Sequence, residues 1–371
     1  MMKRIFKNLI IIMFIAALSF FVGAEAGSED YKNSVNKDLF SSFDGETKEA
    51  LELFGIDGIE NSVFDFSFES LSDYFTTNLK DKANSAIKLF FEFLSVLMII
   101  SVIEMLKGKS EKGNVLSVLC VCVLSLLTAQ KTYGILNIAV TGAESVNKLM
   151  VSFVPIYAGI VAVSGNPVSA ATYNSLTLLF AEGVSLFASK ILVPFVGVIL
   201  CLTIAFSMSD VFDCGRFLSA AGKVTNLSLG VAAAFFTGFL SFKNVLSFAA
   251  DSAGTRGVRF LVSSLIPVVG SAMSDAYSAF SSSINLIKGS VAGVGILAVV
   301  LCCLPGITEL LLNFVSLSLL SFAAGLFGRN EAASLFKGFS LAIKILLLVL
   351  VYEVFIVIIS TGLMLSIKGG S

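Results

Sequence analysis

The chain has 371 residues, 56% of them hydrophobic and 14% charged, with a net charge of −1 and neither histidine nor tryptophan. A mean hydropathy of +0.93 excludes a soluble monomer. The missing histidine excludes Ser–His and Cys–His nucleophiles and histidine-ligated metal centres.

Lys3, Arg4 and Lys7 precede an apolar run from Leu9 to Val22, and Ala24-Glu25-Ala26 follows it. A basic start, a short apolar stretch and an A-x-A site predict a signal peptide over residues 1–26 with a mature start at Gly27. The alternative is an uncleaved first anchor.

Residues 27–85 read as an exported acidic helical segment. Between Gly27 and Lys82 there are 13 acids against 5 bases, a charge of −8, whereas 12 acids and 17 bases beyond Lys82 give +5. The acidic balance suits solubility and gives no reason to expect nucleic acid. Phe40, Phe43, Leu51, Leu53 and Phe54 form one loosely helical apolar pattern, and Val63, Phe64, Leu71, Tyr74 and Phe75 a second. A piece of this size has a thin core alone, so it is expected to pack on the membrane region or on a partner.

Residues 86–371 read as a multispanning membrane domain. A hydrocarbon core about 30 Å thick takes about 20 apolar residues of helix to cross. Ala86–Leu106 is the first mature span, and Lys107, Lys109 and Lys112 follow it against one acid, Glu111. With the acidic segment outside, one crossing puts those lysines in the cytoplasm, as the positive-inside rule requires. Val115–Ala129 returns outward.

Further apolar runs are Leu149–Val163, Ala171–Ser189, Ile191–Met208, Val224–Phe242, Phe260–Ser274, Ser290–Leu304, Gly306–Phe327 and Leu341–Ile367. Some are too short to cross alone, so the expectation is an all-α polytopic protein with about eight spans, some broken by proline and glycine. The prolines Pro155, Pro167, Pro194, Pro267 and Pro305 all lie in or beside these runs. Val154-Pro155, Val193-Pro194 and Ile266-Pro267 each lead to a glycine a few residues on. That pattern marks either an internal repeat of the kind that builds transporter sites or ordinary helix kinks.

The six cysteines, Cys120, Cys122, Cys201, Cys214, Cys302 and Cys303, lie in or beside apolar runs and include no C-x-x-C spacing. They read as small buried apolar residues. No nucleotide-binding G-x-x-x-x-G-K-[ST] and no G-x-S-x-G elbow occurs. No enzymatic role, cofactor or metal is therefore expected, and an intramembrane enzyme is the weakest reading.

Polar residues concentrate between Lys243 and Lys288, where Asp251, Arg256, Arg259, Asp275 and Lys288 surround Pro267 and Gly270. Asp251 and Arg259 lie two turns apart, close enough in angle to share a helix face. Charges in a membrane segment face a bundle interior, a partner or water. The set Asp251, Arg256, Arg259, Pro267, Gly270, Asp275 and Lys288 is thus the candidate gate or assembly site. The plainer alternative is an interfacial amphipathic helix over Lys243–Arg259 with Asp275 at a span end. Glu182, Glu309, Lys344 and Glu353 fall inside other apolar runs, where an acid relays protons, binds a cation or bridges helices. Gly289-x-x-x-Gly293 suggests close helix packing.

These blocks carry a resemblance. Thr237-Gly-Phe-Leu-Ser-Phe-Lys243, Asp251-x-x-x-x-Arg256-x-x-Arg259-Phe260, Ile266-Pro-Val-Val-Gly-Ser-Ala-Met-Ser-Asp275-Ala and Lys288-Gly-x-x-x-Gly293 resemble the core of the stage III sporulation protein AE family. Phe153-Val-Pro155 and Ser164-Gly165 fit the same family, and the resemblance covers nearly the whole chain. One departure is Ser252, where the family pattern suggests a glycine directly after the aspartate; here the glycine is Gly254.

The resemblance implies a multi-pass protein of the mother-cell membrane around the forespore in an endospore-forming bacterium. It implies a place in a channel or secretion-like complex. Its partners there would be the other stage III A sporulation proteins, including the ATPase and the ring-forming components, with stage II sporulation protein Q acting indirectly from the forespore side. The competing reading from the residues is an autonomous secondary permease for a small solute or ion.

Overall fold

A computed structural model describes residues 36–41, 43, 45–53, 68–107, 113–208, 213–265 and 270–366, which are almost wholly helical with no strand. The expected signal peptide, with Ala24, Ala26 and Gly27, lies outside the described residues, and so does Pro267.

A helical turn at residues 36–41 precedes α1 (Gly45–Leu53), α2 (Phe68–Lys107), α3 (Gly113–Val163) and α4 (Pro167–Phe187). A π-helical turn (Ala188–Leu192) joins α4 to α5 (Val193–Ser207). Then come α6 (Cys214–Leu265), α7 (Gly270–Leu326) and α8 (Asn330–Ser366).

Six helical segments are long and apolar enough to cross a membrane: Asp73–Ile103, Val121–Val163, Pro167–Ser207, Cys214–Gly254, Ile284–Leu326 and Asn330–Ser366. The count among the described residues is six rather than the expected eight or so, because pairs of apolar runs merge. Val115–Ala129 and Leu149–Val163 both lie on α3, and Ser290–Leu304 and Gly306–Phe327 both lie on α7. The polar stretch after Ala129 interrupts hydropathy but not backbone hydrogen bonding. Pro305 sits inside α7 and Pro155 inside α3 without ending either helix. A proline removes one helical hydrogen bond, and neighbouring helices hold the rest in place. Ala171–Ser189 and Ile191–Met208 are likewise one segment, with Pro194 just after the π-turn. A missing N–H is where an extra residue is most easily accommodated in a turn. Phe260–Ser274 is not one described helix: α6 runs to Leu265 and α7 starts at Gly270.

Pro155 and Pro194 thus share a sequence pattern but not a local structure, and the third site of the pattern, Pro267, lies outside the described residues.

Val121–Val163, at 43 residues, is about 65 Å long at 1.5 Å per residue. The bundle is therefore taller than a hydrocarbon core, and its apolar interior divides into two layers. One layer gathers Val146–Val161 of α3, Tyr173 of α4, Ile284–Cys303 of α7 and Val354–Met364 of α8, together with Leu39, Phe43 and Leu51 from the N-terminal helices. The other joins Leu89–Leu97 of α2, Val121–Ala143 of α3, the α5 start, Leu310–Ala324 of α7 and Ala332–Leu350 of α8. The apolar residues of 36–53 therefore seat on the membrane bundle, as their thin core requires.

Two tight turns fix the pairing of long helices. At Ser164-Gly165-Asn166, Gly165 has φ +93°, its N–H donates to the Ala162 carbonyl, and the Asn166 N–H donates to the Val161 carbonyl. Gly328 has φ +71°, with the matching bonds from Gly328 to Gly325 and from Arg329 to Ala324. Both are Schellman caps, in which a left-handed residue lets the last carbonyls of one helix be satisfied before the next helix starts.

Candidate functional site

The α3–α4 turn builds the best-defined polar site. Asn166 accepts the first helical bond of α4 from Ala170, and Pro167 follows as the first helical residue. Proline suits that place because its missing N–H has no partner there anyway. The next N–H groups still need acceptors. They find them on another helix: Val168 N–H donates to Oδ1 of Asp251 at 2.8 Å, and Ser169 N–H donates to Oδ2 at 2.8 Å.

Asp251 is 4% exposed and sits on α6. Its negative charge faces the positive end of the α4 dipole, so geometry and electrostatics agree. The contact continues one turn earlier along α6, where the hydroxyls of Ser247 and Thr172 lie 2.8 Å apart. Asn244, Ser247 and Asp251 recur at helical spacing and are all buried, whereas Val245, Leu246 and Phe248 between them are exposed. This one polar seam ties α6 to α4. Lys243–Arg259 is part of one continuous helix, with a buried polar edge at Asn244, Ser247 and Asp251.

Arg256 is exposed, with its Nε donating to the Ser252 carbonyl at 3.2 Å. Helix α6 runs straight through Ser252 and Gly254, so the glycine placement that departs from the family pattern sits in regular helix. The side chains of Arg259 and Asp275 lie outside the described residues; Gly270 and Asp275 belong to the backbone of α7. Lys288 is 1% exposed and borders the layer that holds Tyr157 and Leu39. Asp251 and Lys288 are thus the two candidates placed in the interior. The partners of Asp251 were not identified from sequence, although Gly165-Asn166-Pro167 carries the signal for a helix start there.

The same layer holds a buried aromatic group. Tyr157 stacks on Phe153 and meets Tyr173 edge-on, and the Tyr173 hydroxyl lies 3.2 Å from that of Thr361 on α8. Among the described residues no group of three His, Cys, Asp or Glu is placed to hold a metal ion.

Helix approach is closest at two glycines. A Cβ on Gly295 of α7 would collide with the Phe153 ring, and one on Gly338 of α8 with Thr203 of α5. Gly289, expected to mark close packing, meets only Leu365 at 4.0 Å.

Comparison with known proteins places these features in one family. The curated "Stage III sporulation protein AE" of Bacillus subtilis (strain 168) is 26% identical over 198 residues, which cover 52% of this chain and 49% of that protein. The match thus spans about half the length of that relative. No solved structure matches. A family model described as stage III sporulation protein AE matches residues 54–367, which include the Asp251 seam, both tight turns and helices α2 to α8. The chain is a multi-pass, all-helical membrane protein and belongs to the stage III sporulation protein AE family.

Proposed function

We propose that this protein is the integral membrane core of a channel or secretion-like complex that links mother cell and forespore and is needed for spore development. It sits in the mother-cell membrane around the forespore with residues 27–85 outside the cytoplasm, and it has no catalytic role of its own. Its partners are the other stage III A sporulation proteins, including the ATPase and the ring-forming components, with stage II sporulation protein Q engaged indirectly.

The observation that carries this reading is the family match over residues 54–367, which takes in all six described segments that are long and apolar enough to cross a membrane. Two physical features support it. The sequence has no nucleotide-binding loop, so work done by the assembly must draw on a partner. Helix α6 is fastened along a single edge, and its other flank, with Val224, Leu227, Val231 and Phe235, is left for lipid or neighbouring subunits.

The test is purification of tagged protein from sporulating cells in mild detergent, with recovered partners identified by mass. Recovery of the ATPase and ring-forming components is expected. Recovery of this chain alone, stable and monodisperse, overturns the reading and favours the autonomous permease.

A further inference from the structure

The four ionisable residues inside apolar runs have different fates. Glu182 is exposed on α4, and Lys344 is half-buried on α8. Glu309 of α7 pairs with Lys82 of α2 at 2.8 Å. Glu353 of α8 is 1% exposed, and neither of its carboxyl oxygens has a hydrogen-bond partner.

Glu353 lies in the middle of the apolar stretch of α8, and five helices pack on that element: α7, α3, α5, α6 and α4. From α7, the buried Cys303 thiol is in electrostatic reach of the carboxyl, with Cys302 beside it. Lys288 stands fifteen residues before Cys303, about 22 Å along the helix axis, and Glu309 is engaged by Lys82. From α3, Glu144 and Lys148 are exposed and Tyr157 is buried; from α4, Glu182 is exposed and Tyr173 faces Thr361. Helix α5 brings no charged residue. From α6, Lys223 and Lys243 are exposed and Asp251 is committed to the α4 start. On α8 itself, Lys344 is nine residues back and Tyr352 is half-buried. No ion pair joins any of these described groups to Glu353.

An isolated carboxylate in such a place costs several kcal/mol, because nothing replaces the water it loses. A bound proton removes the charge. A metal ion would need several oxygen ligands, and no such group exists among the described residues.

We propose that Glu353 is an exchangeable proton-binding site inside the membrane, set in the contact between α7 and α8. With the proton bound, the acid packs against its apolar neighbours and the contact stays closed. When the proton leaves for water, the bare carboxylate must draw water or a cation to itself, so release is linked to opening of that contact. One proton is taken up and one returned, with no electron transfer. This inference goes beyond the channel role and does not depend on it, because its test uses the isolated chain.

The experiment is infrared spectroscopy of the full chain in lipid bilayers, comparing wild type, Glu353→Gln and the exposed-site control Glu182→Gln. At neutral pH the wild type and the control should show the carbonyl stretch of a protonated carboxyl, and Glu353→Gln should lose it. The band should disappear reversibly as the pH is raised. Identical wild-type and Glu353→Gln spectra would overturn the proposal. So would a band that stays unchanged at alkaline pH while the protein remains folded. If Glu353→Gln does not fold, Glu353→Asp should shift the band; an unshifted band would equally sink the idea.

Discussion

Asp251 shows how one side chain can organise a helix junction. Its carboxylate takes two backbone donors that α4 cannot satisfy within itself. Asp251→Ala leaves both donors without their acceptor, the Ser169 N–H buried and the Val168 N–H partly so, and a buried unsatisfied group costs about 1–3 kcal/mol. Asp251→Asn keeps one carbonyl acceptor and should lose less. Unfolding of the purified protein in mixed detergent micelles, with hydrogen exchange at Val168 and Ser169, checks both outcomes. Equal stability of Asp251→Ala and wild type would mean that the junction is held elsewhere. Asp251 was recognisable in the sequence as a costly charge in an apolar region. Its partners were not, because backbone N–H groups leave no trace in residue identity and lie 83 and 82 positions away.

Helices here are held by close approach and by turn geometry. Gly295→Ala and Gly338→Ala each place a methyl where Phe153 or Thr203 already sits. Overpacking of this kind costs about 1–3 kcal/mol, so both variants should unfold earlier than wild type. Gly134→Ala and Gly183→Ala, where a Cβ meets nothing within 4 Å, serve as matched controls and should not. Gly165 carries a different burden. Its φ of +93° is a conformation that side chains disfavour, so Gly165→Ala should cost about 1–2 kcal/mol through backbone strain. Thermal unfolding of the four variants and of Gly165→Ala in one detergent ranks these effects directly.

On the scale of the molecule, if each of the six long apolar segments crosses the membrane, the Gly165 and Gly328 turns fall on opposite faces. Lys107, Arg216, Lys223, Arg329 and Lys337 would then lie toward the face of the Gly328 turn, which the positive-inside rule leads one to expect in the cytoplasm. Val168 and Asn330 have exposed side chains beside the two turns. In a cysteine-free background, Val168→Cys should react with an impermeant maleimide from outside, and Asn330→Cys only after permeabilisation. Labelling of both from the same side would refute the six-crossing topology.

The sequence by itself determined the class of this protein. Runs of apolar residues with so few charges leave only helices that satisfy their own backbone in lipid, and the motif blocks from Phe153 to Gly293 point to one sporulation family. It did not determine how those runs join, because hydropathy registers polar residues and prolines as breaks. A packed helix carries on through the stretch after Ala129 and through Pro155 and Pro305. Only the tertiary structure decided which charges are exposed, paired or isolated. Glu182, Glu309 and Glu353 look alike in sequence, and the positions of neighbouring helices alone left the first exposed, paired the second with Lys82 and gave the third neither.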